Sequence, residues 1–369
     1  MLIGIDGNEA NIKNRVGVNQ YAFDLLHALS KLKTQHRFVV YLKNPPLPDL
    51  PQLNIASWEY RIIPFPKLWT QTRLPWDLFV HNPRPDVFFS PSHYGPRWSP
   101  VPSVISIMDL GFLSTRSQFN TKDYNQLTRW TEYSVMQAKK ILAISEFTKK
   151  DIVSYYHKNP DDITVSYLAY DEQMFKPAPN PKVPLKYGIH KPYILFLSSL
   201  KPSKNVEGLV KAFFEFKKNY KRKDLALVIA GKKAWLYEQI FELVKKLDLS
   251  GDVIFTGFVD ETDVPALMTE AQAFAMPSFF EGFGIPVLEA MACGTPVIVS
   301  NVASLPEVAG NAGIFVDPKD PSSIAQGIRE AFGKDRNRYI SLGLSQVKKF
   351  SWSKCAQETL EVIESCKIN

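Results

Sequence analysis

Cysteine is scarce in this 369-residue chain, confined to Cys293, Cys355 and Cys366. Their spacing fits neither a metal site nor a disulfide framework, which argues against a cross-linked secreted scaffold and for a reducing cytoplasm. Long apolar runs are missing too. No stretch approaches the roughly 20 residues that a membrane-spanning helix needs. None of the six histidines pairs with another at metal or triad spacing, and His93 falls in a loop. The net charge of +7 is spread over both halves, so there is no basic stripe and nucleic acid is not an expected partner. Such a charge is compatible with a cytoplasmic enzyme that visits the inner, anionic face of a membrane. The opening Met1–Asp6 reads as a strand, without the basic start or cleavage site of a signal peptide.

What the chain does contain is alternation. Short apolar, β-branched runs alternate with helical patterns, predicting an α/β fold with parallel sheets covered on both faces. In the first half the predicted strands are Leu2–Asp6, Phe38–Leu42, Arg61–Pro64, Val87–Ser90, Val104–Ile107, Ile141–Ser145 and Ile163–Ser166. An amphipathic helix starts near Val18, with Tyr21, Leu25, Leu29 and Leu32 on one face. Between Lys176 and Pro184 four prolines fall in nine residues, which reads as a semi-rigid connector that excludes helix. Alternation then restarts with Tyr193–Ser198, Leu225–Ala230, Val253–Thr256, Ala273–Met276, Val297–Ser300 and Ile314–Val316. The expected organisation is a domain over 1–175, a linker over 176–192, a second domain over 193–350 and a final helix over 351–369.

The most telling stretch is Phe279 to Gly294, Phe-Phe-Glu-Gly-Phe-Gly-Ile-Pro-Val-Leu-Glu-Ala-Met-Ala-Cys-Gly. A strand runs into a glycine-rich turn, and a helix opens at Ile285-Pro286, where proline is favoured because its missing N–H has no intrahelical partner. Gly282 and Gly284 thus leave bare N–H groups at a helix N-terminus, a ready phosphate site. Glu281 stands just outside the turn and Glu289 about two turns along. Either Glu alone is explained by the helix dipole or by solvent. Together they flank one anion site, which suits a nucleotide-sugar.

This Glu-x7-Glu string resembles the retaining glycosyltransferases of family 4. The resemblance implies the GT-B fold: two Rossmann-like domains facing each other across a donor-binding cleft, with a C-terminal helix crossing back to the first domain. It implies that Glu281 faces the transferred sugar, that Glu289 holds the ribose and that Gly282, Phe283 and Gly284 line the donor. The loop Leu197–Asn205 is similar to the family's basic donor loop, with Lys204 on the phosphates. Ser199 stands where many relatives carry Arg, and Lys201 is either its substitute or a solvated loop residue. Gly17 resembles the family's glycine loop before the first helix. Val104–Gly111 resembles the strand ending in His-Asp-Leu, with Met108 replacing the histidine beside Asp109, which also suits a cap or turn. Gly257 and Phe258 fall in a segment that borders the nucleobase in relatives. Ala230-Gly231-Lys232-Lys233-Ala234-Trp235 is similar to a loop of the mannosyl-transferring branch and tilts the donor towards GDP-mannose over a UDP-sugar.

No Asp-x-Asp triplet, the usual divalent-metal handle of the other main glycosyltransferase architecture, occurs in the sequence. Lysine and helix-end amides can neutralise a diphosphate instead, so neither metal nor cofactor is expected. The acceptor implied is a glycan or glycolipid. The aromatic, basic segment Trp58–Phe79 fits either lipid contact or core packing. Two other readings stand beside the transferase: a sugar-nucleotide epimerase of related fold, and a non-catalytic nucleotide-sugar binding protein.

Overall fold

A computed structural model describes residues 1–52, 57–114, 116, 121–220, 224–231 and 237–367. The chain divides into two compact units, Met1–Leu168 with Trp352–Asn369, and Ala169–Ser351.

In the first unit the strands are β1 (Leu2–Asp6), β2 (Arg37–Leu42), β3 (Trp58–Ile62), β4 (Val87–Ser90), β5 (Ser103–Ile107), β6 (Lys140–Ala143) and β7 (Ile163–Val165). They form a sheet in the order β3-β2-β1-β4-β5-β6-β7, with every pairing parallel. Strand order reverses between β1 and β4. β3 begins earlier than Arg61 and stops short of Pro64. Trp58 stacks on Phe38 with centroids 4.0 Å apart, which anchors the strand's start, and a proline cannot donate to the ladder. The predicted first helix spans Val18–Ser30. Leu32 falls just beyond it, its amide closing the last turn on the Leu29 carbonyl.

The final helix, Trp352–Glu364, belongs to this first unit, as expected. Trp352 meets Tyr21 with centroids 6.3 Å apart, and Ser166 Oγ donates to the Cys355 carbonyl at 3.4 Å. Cys355, Ala356, Leu360 and Ile363 recur at helical spacing and are buried, so this stripe supplies the packing energy.

The second unit carries β8 (Tyr193–Leu197), β9 (Ala226–Ala230), β10 (Val253–Gly257), β11 (Ala273–Met276), β12 (Val297–Ser300) and β13 (Gly313–Val316). Their order is β10-β9-β8-β11-β12-β13, again all parallel. The reversal lies between β8 and β11. Open α/β sheets bind ligands beyond the carboxyl ends of strands at such a point. The helices Val206–Tyr220 and Pro321–Ala331 cover this sheet through Leu209, Val210, Phe213, Ile324 and Ile328, all buried.

One expectation needs correcting. The proline-rich stretch does contain a helix, Lys182–Lys186, which takes in Pro184. Proline is tolerated in a helix's first turn because the N–H it lacks has no acceptor there. Asn180 Oδ1 accepts the Lys182 amide at 3.2 Å and starts the turn.

Candidate functional site

The turns after β8 and β11 are knitted together at the strand reversal of the second unit. The Phe279 amide donates to the Ser203 carbonyl at 2.8 Å. Asn205, in the left-handed region at φ 56°, donates from Nδ2 to the carbonyls of Pro277 (3.0 Å) and Pro318 (2.6 Å). Gly208 makes room for it, since a Cβ there would lie 2.3 Å from Asn205 Oδ1.

This scaffold presents Lys204 to Glu281. Lys204 Nζ lies 2.7 Å from each Glu281 oxygen, and the two side chains are only 18% and 9% exposed. Ser278 Oγ donates to Glu281 Oε1 at 2.7 Å. Ser304 Oγ donates to the carbonyls of Glu281 (2.9 Å) and Phe283 (3.1 Å), holding the turn's backbone. Beside the pair the helix Ile285–Ala292 begins. Among the described residues, the N–H groups of Gly282 and Gly284 meet no acceptor. The two bare amides stand at a helix N-terminus beyond the carboxyl end of a parallel sheet, a place that can receive an anion. The Lys204 ammonium beside them is engaged by Glu281.

Gly284 cannot be replaced cheaply. Its φ is +99°, and a Cβ would meet Leu305 Cδ2 at 2.7 Å. We expect Gly284→Ala to cost about 1–3 kcal/mol, read as a lower denaturant midpoint.

Glu289 is half-buried on the same helix, and no side chain among the described residues hydrogen-bonds its carboxylate. Burial lifts its pKa to about 8, and the negative charges of Glu261 and Asp171 add to the shift.

Two models of known families cover most of this chain. Residues 16–173 match Glycosyltransferase Family 4, and residues 184–341 match Glycosyl transferases group 1. The chain belongs to the family 4 glycosyltransferases. Among curated relatives, O-antigen chain mannosyltransferase B of Escherichia coli is 35% identical over 232 residues. That match covers 62% of this chain and 61% of the relative, so under two thirds of the relative is spanned. Among solved structures, sucrose-phosphate synthase from Thermosynechococcus elongatus superposes with a TM-score of 0.76 at 16% identity, covering 99% of this chain and 98% of that one. HepE of Anabaena, in complex with UDP and glucose, gives 0.73 at 17% identity, covering 99% of each chain. These likenesses confirm the GT-B fold.

The remaining residues expected in a family 4 site fall in several places. The Phe283 side chain is 3% exposed and its ring sits edge-on to Phe350, centroids 5.9 Å apart, so the ring packs the core and only its backbone is left to line the turn. Lys201 is exposed and lines a cavity of about 450 Å³ with Glu207, Lys211, Phe279 and Lys319. Neither Lys204 nor Glu281 borders that cavity. Ser199 is half-buried, and its carbonyl accepts the Lys201 amide at 2.8 Å. At the end of β10, Gly257 takes φ +71° and its carbonyl accepts the Gly231 amide at 2.9 Å. Phe258 beside it is 61% exposed. Lys232, Lys233, Ala234 and Trp235 lie outside the described residues.

In the first unit, Gly17 caps the Val18–Ser30 helix at φ 56°. Tyr21 on that helix bonds Ser106 Oγ at 2.8 Å, near the end of β5. Met108 there is buried, and its carbonyl accepts Thr148 Oγ1 at 3.2 Å. Asp109 Oδ1 accepts the Gly111 amide at 2.8 Å, so the turn role applies to that oxygen. The Asp109 carbonyl accepts His93 Nε2 at 3.0 Å. Burial pushes His93 below the ordinary histidine value, against the opposing pull of the Asp109 charge and carbonyl.

Sequence reasoning missed Ser278, Ser304 and the anchoring of Asn205. Each is a small polar residue at a strand end or turn, and its partners lie far away along the chain.

Proposed function

We propose that this protein is a retaining glycosyltransferase that moves a hexose from a nucleotide-sugar to a hydroxyl of a glycan or glycolipid acceptor. The observation that carries this reading is the buried Lys204–Glu281 pair beside the bare Gly282 and Gly284 amides. As the bond between sugar C1 and the diphosphate breaks, the leaving group takes the electron pair. Lys204 and the two amides then stabilise the growing charge. Glu281, fixed by Ser278, orients the sugar, and Glu289 takes the ribose hydroxyls. Mannose from GDP-mannose is the donor we propose, supported by the name of the E. coli relative. The HepE complex with UDP and glucose supports a nucleotide-sugar more generally. The proposed place of work is the cytoplasm, at the inner face of the membrane. No helix among the described residues is long and apolar enough to cross one.

Charge neutralisation by Lys204 and backbone amides needs no divalent ion. We therefore expect transfer to persist in excess EDTA. The assay is product formation from a donor panel, before and after chelation. Abolition by EDTA and rescue by Mg2+ or Mn2+ would refute metal independence.

A further inference from the structure

The segment from β3 to β4 carries two kinds of aromatic residue. Trp58 and Trp69 are each 6% exposed, and Trp69 Nε1 donates to the Ile63 carbonyl at 2.8 Å. These are packing residues. Beyond Leu68 the chain climbs in steps of four. The Thr72 amide donates to the Leu68 carbonyl at 2.9 Å, and the Trp76 amide donates to the Thr72 carbonyl at 3.1 Å. Trp76 and Val80 therefore stand in one row on the Arg73–Val80 helix, with Phe79 beside it. Leu68, in the left-handed region at φ 54°, lies in the turn that leads into it. The helix's other face buries Leu74, Asp77 and Leu78.

A row that merely faced water would be polar. Instead Leu68 is 55% exposed, Trp76 64%, Phe79 50% and Val80 58%. Apart from Arg73, the cations at this face lack carboxylate partners among the described residues. Lys67 is exposed and unpartnered among the described residues. Arg84 donates to the Phe79 carbonyl at 2.8 Å, and Lys43 to the Pro66 carbonyl at 3.1 Å. Arg73 alone is neutralised, by Asp77 at 3.2 Å.

We propose that this face, Leu68 to Val80 with Lys43, Lys67 and Arg84, docks the protein on an anionic lipid bilayer. Tryptophan seats at the headgroup boundary, its indole N–H kept in the wet layer, while phenylalanine, leucine and valine bury in the acyl boundary. A basic residue at an anionic surface is worth about fivefold in affinity, so three supply roughly a hundredfold. A symmetric contact between two copies suits this face poorly. It would bring the same unpaired cations together across the interface.

The proposal concerns the first unit and is tested without any donor, so it stands or falls apart from the transferase reading. The full chain is co-sedimented with vesicles of phosphatidylcholine alone and of phosphatidylcholine mixed with phosphatidylglycerol. Binding to mixed vesicles should exceed binding to neutral ones by about tenfold or more. Trp76→Ser combined with Phe79→Ser should lower binding by about tenfold or more. Both positions are exposed, so the melting temperature should hold. Should that variant fold poorly, Lys67→Glu serves: it should weaken binding to mixed vesicles while leaving neutral ones unaffected. Absence of binding to mixed vesicles, or equal binding by the variants, overturns the proposal. So does a dimer in sedimentation velocity that Trp76→Ser with Phe79→Ser dissociates.

Discussion

Lys204→Ala is expected to weaken binding of a nucleoside diphosphate by about ten- to a hundredfold, the worth of a charge-assisted hydrogen bond. Nucleoside binding should scarcely change, because in the proposed site the ammonium serves the phosphates, which a nucleoside lacks. The same substitution also strands the Glu281 carboxylate, which is 9% exposed and otherwise held by Ser278. Removing one partner of a buried pair costs about 3–5 kcal/mol. Lys204 keeps some solvent contact, so the lower end, about 3 kcal/mol, applies here. Glu281→Ala should cost stability for the converse reason and should abolish most turnover. The double variant should be more stable than the two single losses predict, by roughly 1–3 kcal/mol. Calorimetry with diphosphate and nucleoside, together with a denaturation cycle, measures all of this. Additive losses would mean that the two side chains act independently.

The second large effect is a pH dependence centred on Glu289. Burial and the charges of Glu261 and Asp171 lift its pKa from 4.5 to about 8, so at neutral pH the free protein holds a proton there. In the proposed donor site the ribose hydroxyls would donate to the ionised carboxylate, so binding should release that proton. Donor affinity should fall about tenfold per pH unit below pH 8, a slope that Glu289→Gln removes. Titrations in buffers of different ionisation enthalpy should show close to one proton released at neutral pH. For folding the sign runs the other way. The folded state holds the proton more tightly than the unfolded chain, so this group's stabilising contribution is full below about pH 4.5. It is lost as pH rises through about 8.

Much of this was legible in the sequence because parallel strands buried on both faces are continuous apolar runs. β1, β4, β11 and β12 begin and end where the runs do. The start of the Ile285–Ala292 helix was legible from Pro286, and its end from Gly294, whose φ is +78°. Pairings were not legible. Lys204 and Glu281 lie 77 residues apart, and only the adjacency of β8 and β11 brings their turns together. Side-chain direction was hidden too. Phe283 sits between two glycines of a binding turn, yet its ring turns inward to Phe350. Lys201 is three residues from Lys204, and a single 3-10 turn, Pro202–Lys204, separates their surroundings. Within the Trp58–Phe79 segment, one-dimensional composition could not distinguish Trp69, which is buried, from Trp76, which is not.

The most direct test of the central claim is mass spectrometry of products from wild-type protein and Glu281→Gln. Each is incubated with GDP-mannose, UDP-glucose or UDP-N-acetylglucosamine and a glycan acceptor. The account predicts that the wild type lengthens the acceptor by one hexose, with GDP-mannose the best donor and the anomeric configuration retained. Glu281→Gln should give little or no product while still binding the donor. Isomerised donor, or donor bound without any transfer by the wild type, would contradict the account.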